Sequence, residues 1–412
     1  MRRVAIVFGL ALLLAGCGGG GGTNSPGGDL GALKLGVLLP LSGSNASAGQ
    51  DTLHGMQLAA DVLNGKYASI DLPKLSVGKI ALDTSDTQGD PQIGASEVDR
   101  LVTSDKVVAL AGAYQSAVTL TASDRAERLG VPFVNGASSS TSLTERGLKW
   151  FFRTGPSDLT FATTYFNWLK TIQSEHPVKK TVVVHTNDQF GNDGAKVVRD
   201  LAAKNSITIA DDISFQAGAT DVTSQVQKLR SDAPDAIWVL AFTNDAVLLT
   251  KTMAQLNYTP PAVLAFGAGY ADPQFIATLG PLADYSITRA AWSAQIGQKN
   301  AVAKAVADQF QRNFGQPMTE NSARTFTAVM TIGAALEQAK SKDPDKIRQA
   351  LVSLNVTKSI MPWKGIKFDG KGQNQYASGV IEQLVKGQYQ VVFPADVATA
   401  KPVWPMPPLN GR

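Results

Sequence analysis

Short apolar runs alternate with helical repeats along most of the chain. The segment Lys34–Leu39 (KLGVLL) is mainly apolar and ends at Pro40, which is typical of a buried strand. Apolar positions between 53 and 63 then repeat at helical spacing. The same alternation predicts strands at 79–82, 107–111 and 131–135, and helices beginning at Pro91, after a capping Asp90, and spanning 116–129.

A second block repeats this alternation further along the chain. Its predicted strands cover 181–185, 207–213, 236–241 and 262–266, with helices at 191–205, 221–231 and 244–256. Another strand at 285–290 precedes helices near 300–314, 321–340 and 345–354, and short antiparallel strands are predicted within 366–393. Continuously apolar strands between amphipathic helices indicate parallel sheets covered on both faces. We therefore predict an α/β protein with two doubly wound parallel-sheet lobes.

The first residues have the order of a bacterial lipoprotein signal. Arg2 and Arg3 precede the apolar run Val4–Leu14, which is shorter than the ~20 residues a membrane span needs. The run leads into Ala15-Gly16 and Cys17, the sole cysteine of the chain. We predict a signal peptide over 1–16, lipidation of Cys17 and a Gly-rich tether over 17–32. The alternative is an ordinary secretory signal with an incidental cysteine.

Composition argues against several classes of function. The formal charge is +4, charged residues make up 17%, and no Lys/Arg cluster is present, so nucleic-acid binding has no electrostatic support. With Cys17 alone and three separated histidines, neither disulfides nor a Cys- or His-based metal site is expected. Nucleophile-elbow, phosphate-loop and zinc-protease motifs are missing from the sequence, and the carboxylates show no pairing. We expect a binding protein without a cofactor, not an enzyme.

Ligands of open α/β sheets bind beyond the carboxyl ends of the strands, beside helix N-termini. In the first lobe this rule selects the loop with Tyr114 and Ser116, and the small-residue loop with Ala137 and Ser138. Ser116 could serve as a helix N-cap alone, or its hydroxyl and the nearby N–H groups could hold a carboxylate. The second loop could supply further donors, or could simply be a flexible serine-rich segment.

Aromatic residues follow three predicted strands of the second lobe. Phe190 could cover a ligand or pack beneath its own loop, Phe242 follows the third strand, and Tyr270 could stack on a ligand. Asp272, immediately before Pro273, is predicted to be a helix cap rather than a counter-ion.

With these loops in view, the chain from about Leu33 to Pro394 resembles the type I solute-binding proteins of branched-chain amino acid and amide ABC importers, the leucine/isoleucine/valine-binding group. The resemblance depends on the order and spacing of six segments: Leu38–Gly43 (LLPLSG), Gly112–Ser116 (GAYQS), Pro132–Ser138 (PFVNGAS), Thr144–Gly147 (TERG), Phe152–Thr154 (FRT) and Asp188–Gly191 (DQFG).

The resemblance implies two lobes joined by three crossings, near 154–156, 285–289 and 360–363, with the ligand in the cleft. The first lobe would comprise 33–154 and 285–360, and the second 155–284 and 361–412. It also implies that Ser116, Ala137 and Ser138 bind the ligand's carboxylate and that Phe190 covers it from the other lobe. The expected setting is the cell envelope, where a lipid-anchored monomer would deliver its small-molecule ligand to an ABC permease.

The sequence departs from the amino-acid binders of this family at one informative place. They carry a glutamate for the ligand's ammonium after the fourth strand of the second lobe, whereas Phe266–Tyr270 (FGAGY) has no carboxylate. Ala48 also stands where relatives can carry an aromatic. Because an unpaired buried ammonium is costly, the ligand could be an aromatic or aliphatic acid or an amide. Asp188, Asp245 or Asp272 could still supply a counter-charge, so amino acids stay open.

Three rival functions have different sequence requirements. A ligand sensor would use the same binding body with a signalling partner in place of a permease, and the sequence does not separate the two. An extracytoplasmic hydrolase is disfavoured by the missing motifs. A transcription repressor of similar architecture would need N-terminal DNA-binding helices in place of an export signal.

Overall fold

The computed structural model of the protein describes residues 29–412. The predicted signal peptide, the lipidation site Cys17 and most of the predicted tether lie outside the described residues. Within 29–412, none of the helices combines the length and apolar character needed to cross a membrane.

The described chain alternates strands and helices throughout. The strands are β1 (Ala32–Leu39), β2 (Lys79–Asp86), β3 (Ala109–Gly112), β4 (Phe133–Asn135), β5 (Phe151–Arg153), β6 (Lys180–Thr186), β7 (Thr208–Phe215), β8 (Ala236–Leu240), β9 (Val263–Ala265), β10 (Ile287–Ala290), β11 (Val380–Val385) and β12 (Gln388–Phe393). The helices are α1 (Ala46–Leu63), α2 (Pro91–Asp99), α3 (Ser116–Leu129), α4 (Asp158–Ile172), α5 (Gln189–Lys204), α6 (Thr223–Asp232), α7 (Thr243–Gln255), α8 (Pro273–Leu279), α9 (Ala294–Gly297), α10 (Ala301–Phe314), α11 (Glu320–Ala339) and α12 (Pro344–Ser353).

The strands form two sheets, which confirms the predicted pair of α/β lobes. The first sheet has the order β2-β1-β3-β4-β5, and all its neighbours are parallel. The second has the order β12-β11-β10-β9-β8-β6-β7, in which β6 to β10 are parallel and β11 and β12 form an antiparallel hairpin at one edge. In each sheet the strand order reverses once, beside β1 and beside β6, and such a switch point is where ligands of these folds bind.

Local sequence signals fix many of the element boundaries. The Asp90 carboxylate accepts hydrogen bonds from the N–H groups of Gln92 and Ile93, so it caps α2 as predicted. Asp272 caps α8 in the same way, by accepting from the N–H of Gln274. At the other end of a helix, α3 stops at Gly130, whose φ of +64° suits a residue without a side chain.

The chain crosses between the lobes at positions that differ in part from the predicted ones. The chain leaves β5 and enters α4 through 154–157. The predicted second crossing at 285–289 is wrong, because β10 pairs with β9 and β11 inside the second sheet, so the chain crosses after Ala290. The third crossing also comes later than 360–363, since Gly372 and Asn374 still hydrogen-bond with Arg153 of β5. Residues 285–290 therefore belong with the second lobe, and 361–374 lie beside the first.

Helix α4 and strand β5 were not among the elements predicted from the sequence. One face of α4 is lined with large buried side chains, Phe161, Tyr165, Phe166 and Trp168, and it packs against α5 and the second sheet. The Tyr165 hydroxyl donates to the carbonyl of Ala265, 2.6 Å away, which joins this helix to the end of β9. The helix that follows the first crossing is thus part of the second lobe's core.

Candidate functional site

The two switch points face each other across the gap between the lobes. Tyr114 and Ser116 follow β3 in the first lobe, while Phe190 and Phe242 follow β6 and β8 in the second. The four side chains line one small cavity, whose empty space of about 280 Å³ includes open solvent. The complete lining is Tyr114, Ser116, Ala137, Ser138, Ser139, Phe190, Phe242, Ala268, Arg289, Asn321 and Arg324.

Ser116 lies at the cavity but is not the helix cap. Gln115 occupies the N-cap position of α3, and Ser116 is the first residue of the helix. The Ser116 hydroxyl is nearly buried and accepts a weak hydrogen bond, 3.4 Å long, from the N–H of Ser140. A hydroxyl that is not used for capping, at the positive end of a helix, is placed to donate to an anion.

The second predicted loop has a mixed role. Ala137 and Ser138 both line the cavity. The Ser138 hydroxyl, however, lies 3.0 Å from the carbonyl oxygens of Ala113 and Tyr114 and 2.5 Å from the hydroxyl of Thr119. This hydroxyl therefore holds the two first-lobe loops together rather than remaining free for a ligand.

Aromatic rings form the wall that the second lobe presents to the cavity. The ring centroids of Phe190 and Phe242 are 5.3 Å apart, and Phe242 lies 5.8 Å from Tyr114 of the first lobe. Such a surface suits the apolar body of a small ligand. Tyr270, by contrast, is not brought to this wall, because its ring packs on Phe275 in the core of the second lobe, 4.6 Å between centroids.

Two buried arginines, which the sequence analysis did not select, form the floor of the cavity. Arg289 lies on β10 and Arg324 on α11, and each is about 2% exposed. The Arg289 guanidinium makes a close ion pair with Glu320, whereas Nη1 of Arg324 is 3.8 Å from the same carboxylate. Both guanidiniums also face the ring of Phe161, at 3.9 Å and 5.9 Å.

Several hydrogen-bond donors at this floor have no protein partner. They are Nε of Arg289, Nε and Nη2 of Arg324, the side-chain amide nitrogen of Asn321 and the hydroxyl of Tyr114. Burial lowers the pKa of Arg324 to about 10, so the guanidinium is still charged at neutral pH. Glu320 is the carboxylate within ion-pair distance of the two guanidiniums, and the buried Asp158 acts on them at longer range, but several of their N–H donors keep no partner. An anionic ligand would satisfy these donors.

The loop after β9, where the sequence resemblance implied a glutamate in amino-acid binders, has no acidic side chain between 266 and 270. Ala268 lines the cavity there, and the neighbouring Gly267 has a φ of +63°. A Cβ on Gly267 would lie 2.4 Å from the Arg289 guanidinium, so the missing side chain makes room for the arginine. Within residues 29–412, no group of three or more His, Cys, Asp or Glu is arranged to hold a metal ion.

The lobes touch each other on both sides of the cavity. The Ser47 hydroxyl of α1 donates to Asp272 of the second lobe over 2.9 Å. The amide of Gln189 donates to the hydroxyl of Ser142 over 3.1 Å, and the hydroxyl of Ser140 donates to Asp193. These contacts describe a closed arrangement of the two lobes.

Comparison with known proteins agrees with this architecture. A sequence profile described as periplasmic binding protein matches residues 32–386. The Leu/Ile/Val-binding protein homolog 8 of Brucella abortus is 26% identical over 383 residues, which cover 90% of this chain and 92% of the homolog.

Solved structures show the same fold. A solute-binding protein of an ABC transporter from R. palustris, in complex with benzoate, superposes with a TM-score of 0.77 at 19% identity, covering 90% of this chain and 98% of that chain. The branched-chain amino acid transporter substrate-binding protein LivJ of Streptococcus pneumoniae, in complex with isoleucine, gives 0.73 at 21% identity, covering 88% and 100%.

Proposed function

Because this chain belongs to the periplasmic binding protein family, which binds small molecules for ABC transporters, we propose that it captures a small carboxylate-bearing solute between its lobes. In this proposal a lipid on Cys17 anchors the protein in the cell envelope, and an ABC permease accepts the solute from it. Similar solved structures hold amino acids or aromatic acids, so both classes of carboxylate are candidates.

The unpartnered donors of the cavity floor are the observation that carries this proposal. Guanidinium N–H donors that are buried without a partner favour an anion, and a carboxylate accepts planar, bidentate hydrogen bonds of the kind that arginine donates. Ser116 lines the same cavity and adds a hydroxyl at the N-terminus of α3.

Ligand capture in this scheme couples binding to lobe closure. The carboxylate docks first on the loops with Ser116 and Ala137, and closure then brings Phe190 and Phe242 over the apolar body of the solute. Moving such an equilibrium from 1:99 to 99:1 requires about 5.5 kcal/mol of differential affinity. Burial of an apolar body together with several charge-assisted hydrogen bonds supplies free energy of that order.

A thermal-shift screen followed by calorimetry tests the proposal. Amino acids, aromatic acids, short fatty acids and amides are screened first, since a bound solute raises the melting temperature by mass action. For the best ligand, Ser116→Ala should weaken binding about tenfold, the effect of one lost hydrogen bond to a charged group, with little change in stability. The matched control is Ser231→Ala, whose hydroxyl on α6 bonds only a carbonyl of its own helix. An unchanged affinity in Ser116→Ala contradicts the assignment.

The lipid anchor is tested separately. Each CH₂ buried in a membrane contributes about 0.8 kcal/mol, so several acyl chains would hold the protein permanently. Cells fed a radioactive fatty acid should incorporate label into the wild-type protein but not into Cys17→Ser. Wild-type protein without label would show that this part of the proposal is wrong.

A further inference from the structure

A larger cavity, with an empty space of about 800 Å³ that includes open solvent, lies at the mouth of the same cleft. It shares Ser116, Phe190 and Phe242 with the cavity above the arginines, so the two are adjoining parts of one channel between the lobes. A ligand whose carboxylate lies on the floor, and whose body lies against the two phenylalanines, would extend towards this mouth.

The charged side chains that line the mouth are both acidic. Asp188 follows β6, caps α5 and accepts a hydrogen bond from the N–H of Gly191. Asp245 lies in the first turn of α7 and accepts from the N–H of Gly218. Burial raises the pKa of both carboxyls, that of Asp245 to about 6, so Asp245 is ionised at pH 7.5. No lysine or arginine lines this cavity to balance them.

Two buried amides provide an independent indication that the mouth binds a ligand. Asn45 and Gln115 line the cavity, and each is more than nine-tenths buried. The side-chain carbonyl oxygen of each has no hydrogen-bond partner. Buried acceptors without donors are costly, and a ligand group that donates hydrogen bonds would satisfy them.

The two ends of the channel therefore have opposite chemistry. The floor at Arg289 and Arg324 offers donors and positive charge, whereas the mouth at Asp188 and Asp245 offers acceptors and negative charge. An α-amino acid fits this arrangement poorly, because its ammonium adjoins its carboxylate and would lie close to the guanidiniums. A second carboxylate at the far end of a ligand would be repelled by the aspartates.

We propose that the solute is a small organic acid without an α-ammonium group, whose far end carries a hydrogen-bond donor, a hydroxyl or an amino group, that is received at the mouth. This inference rests on the proposed function, since it assumes that the cleft binds a carboxylate. It adds the orientation of the solute and the chemistry of its second end.

Isothermal titration calorimetry with the full chain at pH 7.5 tests this specificity. The aromatic probes are 4-hydroxybenzoate, 4-aminobenzoate, benzoate and terephthalate, and the aliphatic pair is 6-hydroxyhexanoate and hexanoate. L-Leucine and L-phenylalanine represent the α-amino acids. In at least one of the two series, the acid with a terminal donor should bind about tenfold tighter than its unsubstituted partner, and terephthalate and the amino acids should bind more weakly still.

A charge-removing variant provides the second measurement. Asp245→Asn keeps an oxygen that can accept from Gly218 but removes one negative charge, so the affinity ratio of terephthalate to benzoate should rise about fivefold or more. Asp200→Asn is the matched control, because Asp200 is an exposed residue near the other end of α5 and pairs with Lys196. The ratio should stay at the wild-type value in this control.

The outcomes separate the two proposals. If acids bind but the donor-bearing members show no preference, if an α-amino acid binds tightest, or if Asp245→Asn leaves the ratio unchanged, the inference is overturned and carboxylate capture stands. If none of the carboxylates binds, carboxylate capture itself is overturned, and the inference with it.

Discussion

Arg324 and Arg153 are two buried arginines whose replacement should have opposite consequences. Arg324 lines the cavity and leaves Nε and Nη2 without partners. Arg153 is fully buried and well satisfied, since Nε donates to Gln373 over 2.7 Å and Nη1 to the carbonyl of Ser140 over 2.6 Å. We predict that Arg324 serves the ligand and that Arg153 serves the fold.

The magnitudes follow from these contacts. Each unpartnered buried donor costs about 1–3 kcal/mol, so Arg324→Met removes a penalty while losing a 3.8 Å contact to Glu320 and a distant contact to the Phe161 ring. The free energy of unfolding of the ligand-free protein should therefore stay within about 1 kcal/mol of wild type, or rise. Loss of a charge-assisted hydrogen bond of about 1.5–3 kcal/mol should weaken carboxylate binding roughly ten- to hundredfold.

Arg153→Met is the matched control for burial and side-chain size. It leaves the side-chain oxygen of Gln373 and the carbonyl of Ser140 without their donor, which should lower the free energy of unfolding by about 3 kcal/mol or more. Urea denaturation without ligand and calorimetry with the best carboxylate measure both quantities. The reasoning is refuted if Arg324→Met destabilises the ligand-free protein as much as Arg153→Met does, or if it retains wild-type affinity.

Two further predictions concern closure and pH. Ser47→Ala removes the hydrogen bond from α1 to Asp272, which disfavours the closed form. Ligand binding should weaken about two- to tenfold, while the urea midpoint stays unchanged. Calorimetry measures the affinity and small-angle scattering the closure, and an unchanged affinity contradicts the prediction. Burial raises the pKa of Glu382 from 4.5 to about 8, so the native state retains a proton that the unfolded state releases, and stability should fall as pH rises between these values. Glu382→Gln should remove this fall in stability, and its urea midpoint at pH 9 should exceed that of wild type. If the variant shows the same dependence of stability on pH as wild type, Glu382 titrates normally and the prediction is wrong.

The strands and helices of both lobes were largely predictable from the sequence because their signals are local. A buried strand such as β8 needs only a short apolar run, and α3 needs only its periodic apolar face and Gly130. The lobe boundaries were less predictable, since β10 joins the second sheet through pairing with β9 and with β11, which lies about ninety residues further along the chain. The sequence shows that β10 is a strand but does not name its partners.

The candidate site divides in the same way. Ser116, Ala137, Phe190 and Phe242 were predictable because parallel strands deliver the loops at their carboxyl ends to one edge of each sheet. Tyr270 follows such a strand too, yet the tertiary structure turns its ring into the core of the second lobe.

The sequence by itself determined the fold class and the loops that face the cleft, because hydrophobic periodicity and the ends of strands can be recognised within a few consecutive residues. Only the tertiary structure decided that Arg289, Glu320 and Arg324 meet beneath Tyr114. An arginine within a helix gives the same sequence signal whether it faces water or a cavity. Its burial, and the electrostatic cost that makes it significant for binding, depend on neighbours brought together by the packing of two lobes.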